Sequence, residues 1–172
     1  GNGQCTLAIP AYKAAISGLA GAEKISTILS LSEAYDACGQ PDLALQTLNQ
    51  ANAEGNVSAD VRYEIGRKEF ENGSFPAALA ALSAAESGLN GMRAAETNYM
   101  MSVAETITKP SGWQKSALDH AERAVSLNAR TWAYNRQACL ATILRGGKDA
   151  KNGSGLARCP DAGTPEARLL RG

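Results

Sequence analysis

A helical pattern stops at Gly73, resumes two residues later, and the same interruption occurs one fixed interval earlier in the chain. From Tyr63 to Ser87 the residues read YEIGRKEFENGSFPAALAALSAAES. Tyr63, Ile65 and Phe70 recur at helical spacing, and Asn72-Gly73-Ser74 ends the run, because Gly and Asn tolerate the left-handed backbone that closes a helix. Pro76 stands near the start of the next run, where its missing N–H costs nothing. From Ala77 to Ser87 one face is almost entirely Ala and Leu, small enough for two helices to approach closely. The stretch therefore predicts an antiparallel helical hairpin. Gly39 and Gly73, Ala44 and Ala78, and Leu48 and Leu82 are each 34 residues apart. After an insertion around Pro110 the pattern lands on Ala117, Ala121 and Ala124. One such hairpin cannot bury its apolar face alone, so neighbouring hairpins must stack.

The same reading organises the remaining chain. Residues 1–9 are expected to be an extended lead-in. Helices are expected over Ala11–Gly18, Ala22–Cys38 and Leu43–Ala53, the last with Asp42 as its cap, then from Ser58 or Asp60 to Gly73. Four more follow over Pro76–Glu86, Met92–Ile107, Trp113–Leu127 and Thr131–Leu144. Residues 10–145 thus form one helical-repeat domain. Residues 146–172, rich in Gly, Asn, Asp and Pro, are expected to be irregular and pinned at Cys159. Trp113 and Trp132, each at a helix start, are expected to pack between helices; an exposed Trp would mark a contact surface.

A helix–turn–helix unit at this period resembles the tetratricopeptide repeat. The resemblance rests on Ile65-Gly66, Gly73, Phe75, Ala78, Leu82 and Ala85, and on Leu31-Ser32, Tyr35, Gly39, Ala44, Leu48 and Ala51. It weakens over 93–128 and covers about two thirds of the chain. The family's Trp in the first helix is missing from the better units, its closing Pro is absent throughout, and Glu69 stands where Tyr is common. Sel1-like repeats, which resemble this architecture and often carry disulfides, are a variant. The resemblance implies an all-α, right-handed solenoid of about three hairpins with flanking helices. The first helix of each hairpin would line its concave side. Placed on that face are Leu29, Glu33 and Asp36, then Tyr63, Arg67 and Phe70, then Thr97, Met101 and Glu105. Such a mixture of aromatic, Met and charged groups suits an extended segment or a helix as partner. The competing reading makes Leu29, Tyr63, Phe70 and Met101 packing residues seen in a wrong register. With Glu33, Asp36 and Glu105 against Arg67 alone, the face is not built to clamp a partner's terminal carboxylates.

Composition supports helix over sheet: Ala makes up roughly a fifth of the residues and aromatics only 5%. Formal net charge is zero without blocks of one sign, which argues against nucleic acid or an anionic membrane as partner. No apolar run approaches the ~18 residues of a membrane span. Four cysteines, Cys5, Cys38, Cys139 and Cys159, lack metal-site spacing, and His120 is the single histidine, so no metal or other cofactor is expected. An even count without such spacing indicates disulfides and an oxidising compartment, periplasmic or extracellular. The chain opens at Gly1 with no apolar leader, so a signal peptide would have been removed or left out. Of the three pairings, Cys5–Cys38 with Cys139–Cys159 is favoured, because each ties a loosely patterned terminal segment to a helix. Closing a 20-residue loop this way stabilises by about 3 kcal/mol. Four buried free thiols in a cytosolic protein are the alternative.

Catalytic constellations are sparse. His120 lies among Asp119, Glu122 and Arg123 and is expected to be a solvated surface group. No G-x-S-x-G surrounds a serine, and Gly146-Gly147-Lys148 lacks the earlier Gly of a phosphate-binding loop. Asn56, Asn72 and Asn152 open N-x-[ST] triplets but read as turn residues. The expectation is a non-enzymatic scaffold or adaptor that binds a protein or peptide. Alternatives are a structural part of an envelope or secretion assembly and, less favoured, a helical-fold hydrolase using carboxylates.

Overall fold

A computed structural model describes residues 2–55, 58–146 and 159. Among the described residues there are eight α-helices and no strand. They are α1 (Asn2–Ile16), α2 (Gly21–Ala37), α3 (Pro41–Ala53), α4 (Ala59–Glu71), α5 (Phe75–Ala85), α6 (Gly91–Thr108), α7 (Trp113–Leu127) and α8 (Trp132–Arg145). A single 3₁₀ turn, Glu86–Gly88, joins α5 to the following loop. Three hairpins, α2–α3, α4–α5 and α6–α7, pack in series, with α1 against α2 and α8 against α7.

Local chemistry sets the boundaries. Gly39 and Gly73 adopt φ of 70° and 76° at the two equivalent turns, where a side chain would be strained. Pro41 and Pro76 occupy the first turns of α3 and α5. The Ser58 hydroxyl caps α4 by accepting from the Val61 N–H at 3.1 Å. Asp42 does not cap α3: Gln40 holds that position and Asp42 lies within the first turn, where its charge favours the helix N-terminus.

The expectation for the N-terminus needs correction. Residues 2–9 are not extended; they are the first turns of α1, which runs on through Pro10. A proline inside a helix costs on the order of 3 kcal/mol. It is offset here because Ile9, Tyr12 and Ile16 pack on Leu31, Tyr35 and Ala44, and because Cys5 is bonded to Cys38 at the end of α2. The second disulfide joins Cys139 to Cys159, so both favoured pairings are present. The irregular segment expected over 146–172, and Asn56 and Asn152, lie outside the described residues apart from Gly146 and Cys159.

The core is a chain of interfaces. Leu48, Ala51, Val61 and Ile65 meet Ile28 between the first two hairpins, and Leu82, Ala85 and Tyr63 meet Met100 and Met101 between the next two. Leu48 and Leu82, which share one place in the repeat, are fully buried. Each contributes about 1.5–3 kcal/mol by leaving water. Gly66 explains the close approach of α4 and α5: a Cβ there would lie 2.5 Å from Leu82 Cγ.

Candidate partner-binding face

The first helices of the hairpins, with α8, form one row tied by contacts between successive members. Asp36 of α2 pairs with Lys68 of α4. Asp60 of α4 pairs with Arg93 of α6, and Tyr63 donates its hydroxyl to Glu96 at 2.6 Å. Tyr99 of α6 meets Tyr134 of α8 with ring centroids 5.2 Å apart, and the Gln137 amide donates to the Ser102 and Thr106 hydroxyls at 3.0 and 3.2 Å. These links connect residues 31 to 35 apart in sequence, one repeat each.

The expected face residues fall into two groups. On α2, Glu33 is exposed, Asp36 is half-buried against Lys68, and Leu29 packs partly into the core beside Ile28. On α4, Tyr63 is only 4% exposed. Burial first, then the Glu96 carboxylate, holds its pKa well above the ordinary tyrosine value. Arg67 is half-buried between Glu64 and Glu71; burial alone would lower its pKa, but the two carboxylates outweigh it and hold the guanidinium charged. Phe70 is half-buried, edge-on to Phe75 at 5.5 Å.

On α6 the assignment fails by two residues. Thr97, Met101 and Glu105 are buried, at 0%, 3% and 7% exposure, and cannot be reached from the surface. The physical reason is a lengthened repeat. Ser32 Oγ contacts the Ala44 carbonyl at 3.5 Å where α2 crosses α3, and Ser102 Oγ donates to the Ala117 carbonyl at 2.6 Å where α6 crosses α7. Ser32 precedes Gly66 by 34 residues, whereas Ser102 follows Gly66 by 36. The accessible positions of α6 therefore become Glu96, Tyr99, Val103 and Ile107, the last 52% exposed. Ile107 is a surface feature that the regular period missed, and the serine-for-glycine match at Ser102 was the available signal; Trp132, expected to pack between helices, is instead 51% exposed.

His120 is also not a solvated surface group. Its side chain is 18% exposed, and Nδ1 lies 2.9 Å from Glu105 Oε2 across the α6–α7 interface, while Ser116 donates to the other Glu105 oxygen. Burial alone would lower the His120 pKa, but the bond to Glu105 and the charges of Glu105, Glu86 and Asp119 raise it. The carboxylate sits between the hydroxyl and the ring. A Ser-His-acid relay needs the imidazole in the middle, so this cluster does not assemble a nucleophile. Trp132 carries Arg136 over its ring at 5.4 Å, and Trp113 is half-buried beneath Lys109. Among the described residues no group of three or more His, Cys, Asp or Glu is placed to hold a metal, and no helix is long and apolar enough to cross a membrane.

Neither a protein-family model nor a curated protein sequence matches the chain. Solved structures do. A crystal structure of MamA protein superposes with a TM-score of 0.68 at 21% identity, covering 91% of this chain and 81% of that one. A second crystal structure of MamA gives 0.66 at 22% identity, over 91% and 90% of the two chains. A putative kinesin light chain from Podosopora anserina, with nearly identical TPR-like repeats, gives 0.60 at 17% identity, over 99% and 88%. At such identities the likeness bears on architecture alone. Helix order, hairpin pairing and these superpositions agree: the chain has a tetratricopeptide-like helical-repeat fold.

Proposed function

We propose that this chain is a non-enzymatic scaffold that binds a protein or peptide partner along the row α2, α4, α6 and α8, in the periplasm or outside the cell. One observation carries the reading. The row is fixed in advance by polar and aromatic links between successive helices, yet leaves Glu33 of α2, Phe70 of α4, Val103 and Ile107 of α6 and Trp132 of α8 at least partly accessible. A face that needs no ordering on contact spends less of its interaction energy on lost freedom. Apolar and aromatic side chains with a charged neighbour suit an extended segment or a helix. The fold supports it as well, since stacked hairpins present extended surfaces. The two disulfides support the oxidising compartment.

The test is site-specific photo-cross-linking in extract of the source cells. Probes at Phe70 and Ile107 should trap one common partner, while probes at Ala80 of α5 and Ser126 of α7 should not. Trapping only from α5 and α7 would overturn the proposal in favour of a structural part of a larger assembly, held by its outer helices.

A further inference from the structure

An open groove of about 870 Å³ runs between α1 and α2, with Leu7, Ala8 and Tyr12 on one wall and Glu33, Ala34 and Ala37 on the other. Leu7 is 76% exposed there. The repeat identifies the place. Ala34 precedes Lys68 by 34 residues, and Lys68 is the residue through which α4 holds Asp36 of the first helix before it. The edge of α2 that bears Ala34 is therefore the edge that, one repeat later, receives a preceding first helix. α1 stands where the second helix of a hairpin would stand, packed on α2 as α3 packs on α4. The groove is thus the position of a first helix between a second helix and the next first helix. Among the described residues nothing occupies it.

We propose that this groove docks an amphipathic α-helix of a protein partner, seated as the first helix of one more repeat. Its chemistry follows from the helix that fills the equivalent position against α3. There Ile28 clusters with Leu48 and Ala51 of α3 and Ser32 contacts the Ala44 carbonyl, while Leu31 and Tyr35 are buried against α1 as well, so the occupant presents a large apolar residue and a small one four positions on. Among the described lining residues Glu33 is the one carboxylate and there is no cation, and the Glu33 side chain is exposed. The occupant therefore carries a Lys or Arg opposite Glu33. The walls run from Cys5 to Tyr12 and from Ser30 to Cys38, about two helical turns, so roughly eight residues of the partner are covered.

The probe is a labelled synthetic peptide with the α2 sequence, residues 21–37, carrying Asp36→Lys, titrated into the oxidised protein. Saturable binding is expected, weakened at least tenfold by Ala34→Arg in the protein, whose circular dichroism stays unchanged. Glu33→Gln weakens it several-fold and removes most of its salt dependence, and the peptide that keeps Asp36 binds less tightly. No saturable binding by either peptide overturns the proposal, as does equal affinity for the Ala34→Arg protein. Sedimentation velocity covers the other occupant: self-association abolished by Ala34→Arg would make a second copy of this chain the ligand and overturn the partner helix.

Discussion

The second and third hairpins share a backbone plan and differ in what fills the crossing. Where α4 meets α5, Gly66 has no side chain and Leu82 takes the space, its Cγ 2.5 Å from where a Cβ would be. Where α6 meets α7, the same place is taken by Ser102, which donates to the Ala117 carbonyl and accepts from Gln137. Around it lie Thr97, Asn98, Glu105, Ser116 and His120, and both Thr97 Oγ1 and Asn98 Oδ1 are buried with no hydrogen-bond partner. One hairpin is closed by shape and the other by hydrogen bonds. A close-packed crossing resists through lost contact and volume, whereas a bonded one responds to the state of its protons.

The largest expected effect is at the apolar crossing. Leu82→Ala should cost about 2–5 kcal/mol in chemical denaturation, because a fully buried side chain leaves a cavity that the flanking helices cannot close. Glu105→Ala comes next, at about 1–3 kcal/mol, since it strands the Ser116 hydroxyl and the imidazole in a half-buried site. Equal losses at these two positions would dissolve the contrast between the hairpins. Gly66→Ala should destabilise by about 1–2 kcal/mol despite the better helix propensity of alanine, because the added Cβ meets Leu82. A stabilised Gly66→Ala protein would show that α4 and α5 can part without loss.

The smallest effect is the most diagnostic. His120 has its folded pKa raised above the ordinary 6.5, so its paired, protonated form stabilises the fold fully below that value. The contribution is lost as pH rises through the raised value. Melting curves of the native protein and His120→Gln should therefore differ most near pH 6 and converge on the alkaline side. A gap that widened with pH would mean that the imidazole is held neutral, against Glu105, Glu86 and Asp119.

How far the fold could be read from the chain depended on which positions carry the signal. Gly39 and Gly73 mark turns that only glycine fills easily, and Leu48 and Leu82 fill identical places, so hairpins one and two were legible with their spacing. The third was blurred because its crossing residue is Ser102, 36 positions after Gly66, and because α6 runs 18 residues against 13 for α4. Two residues along a helix are ~200° apart, so a slip of two turns a surface assignment into a core one. That is why Thr97, Met101 and Glu105 went inside. In the sequence, the first turns of α1, residues 2–9, read as extended for a different reason. This helix is held by the disulfide and by Ile9, Tyr12 and Ile16 on α2, and contacts distant in sequence leave no local period. His120 looked polar from its neighbours along the chain, and its true neighbour, Glu105, is 15 residues away.

The Cys5–Cys38 bond makes the first groove conditional on redox state. α1 carries Pro10 inside it and, among the described residues, packs on α2 through Ile9, Tyr12 and Ile16, so cleaving that link weakens its hold on the array. A mild thiol reductant should thus release one wall of the groove while the hairpins from α2 onward keep their helicity. Whatever docks there would be shed on entry into a reducing environment, with no melting of the protein as a whole.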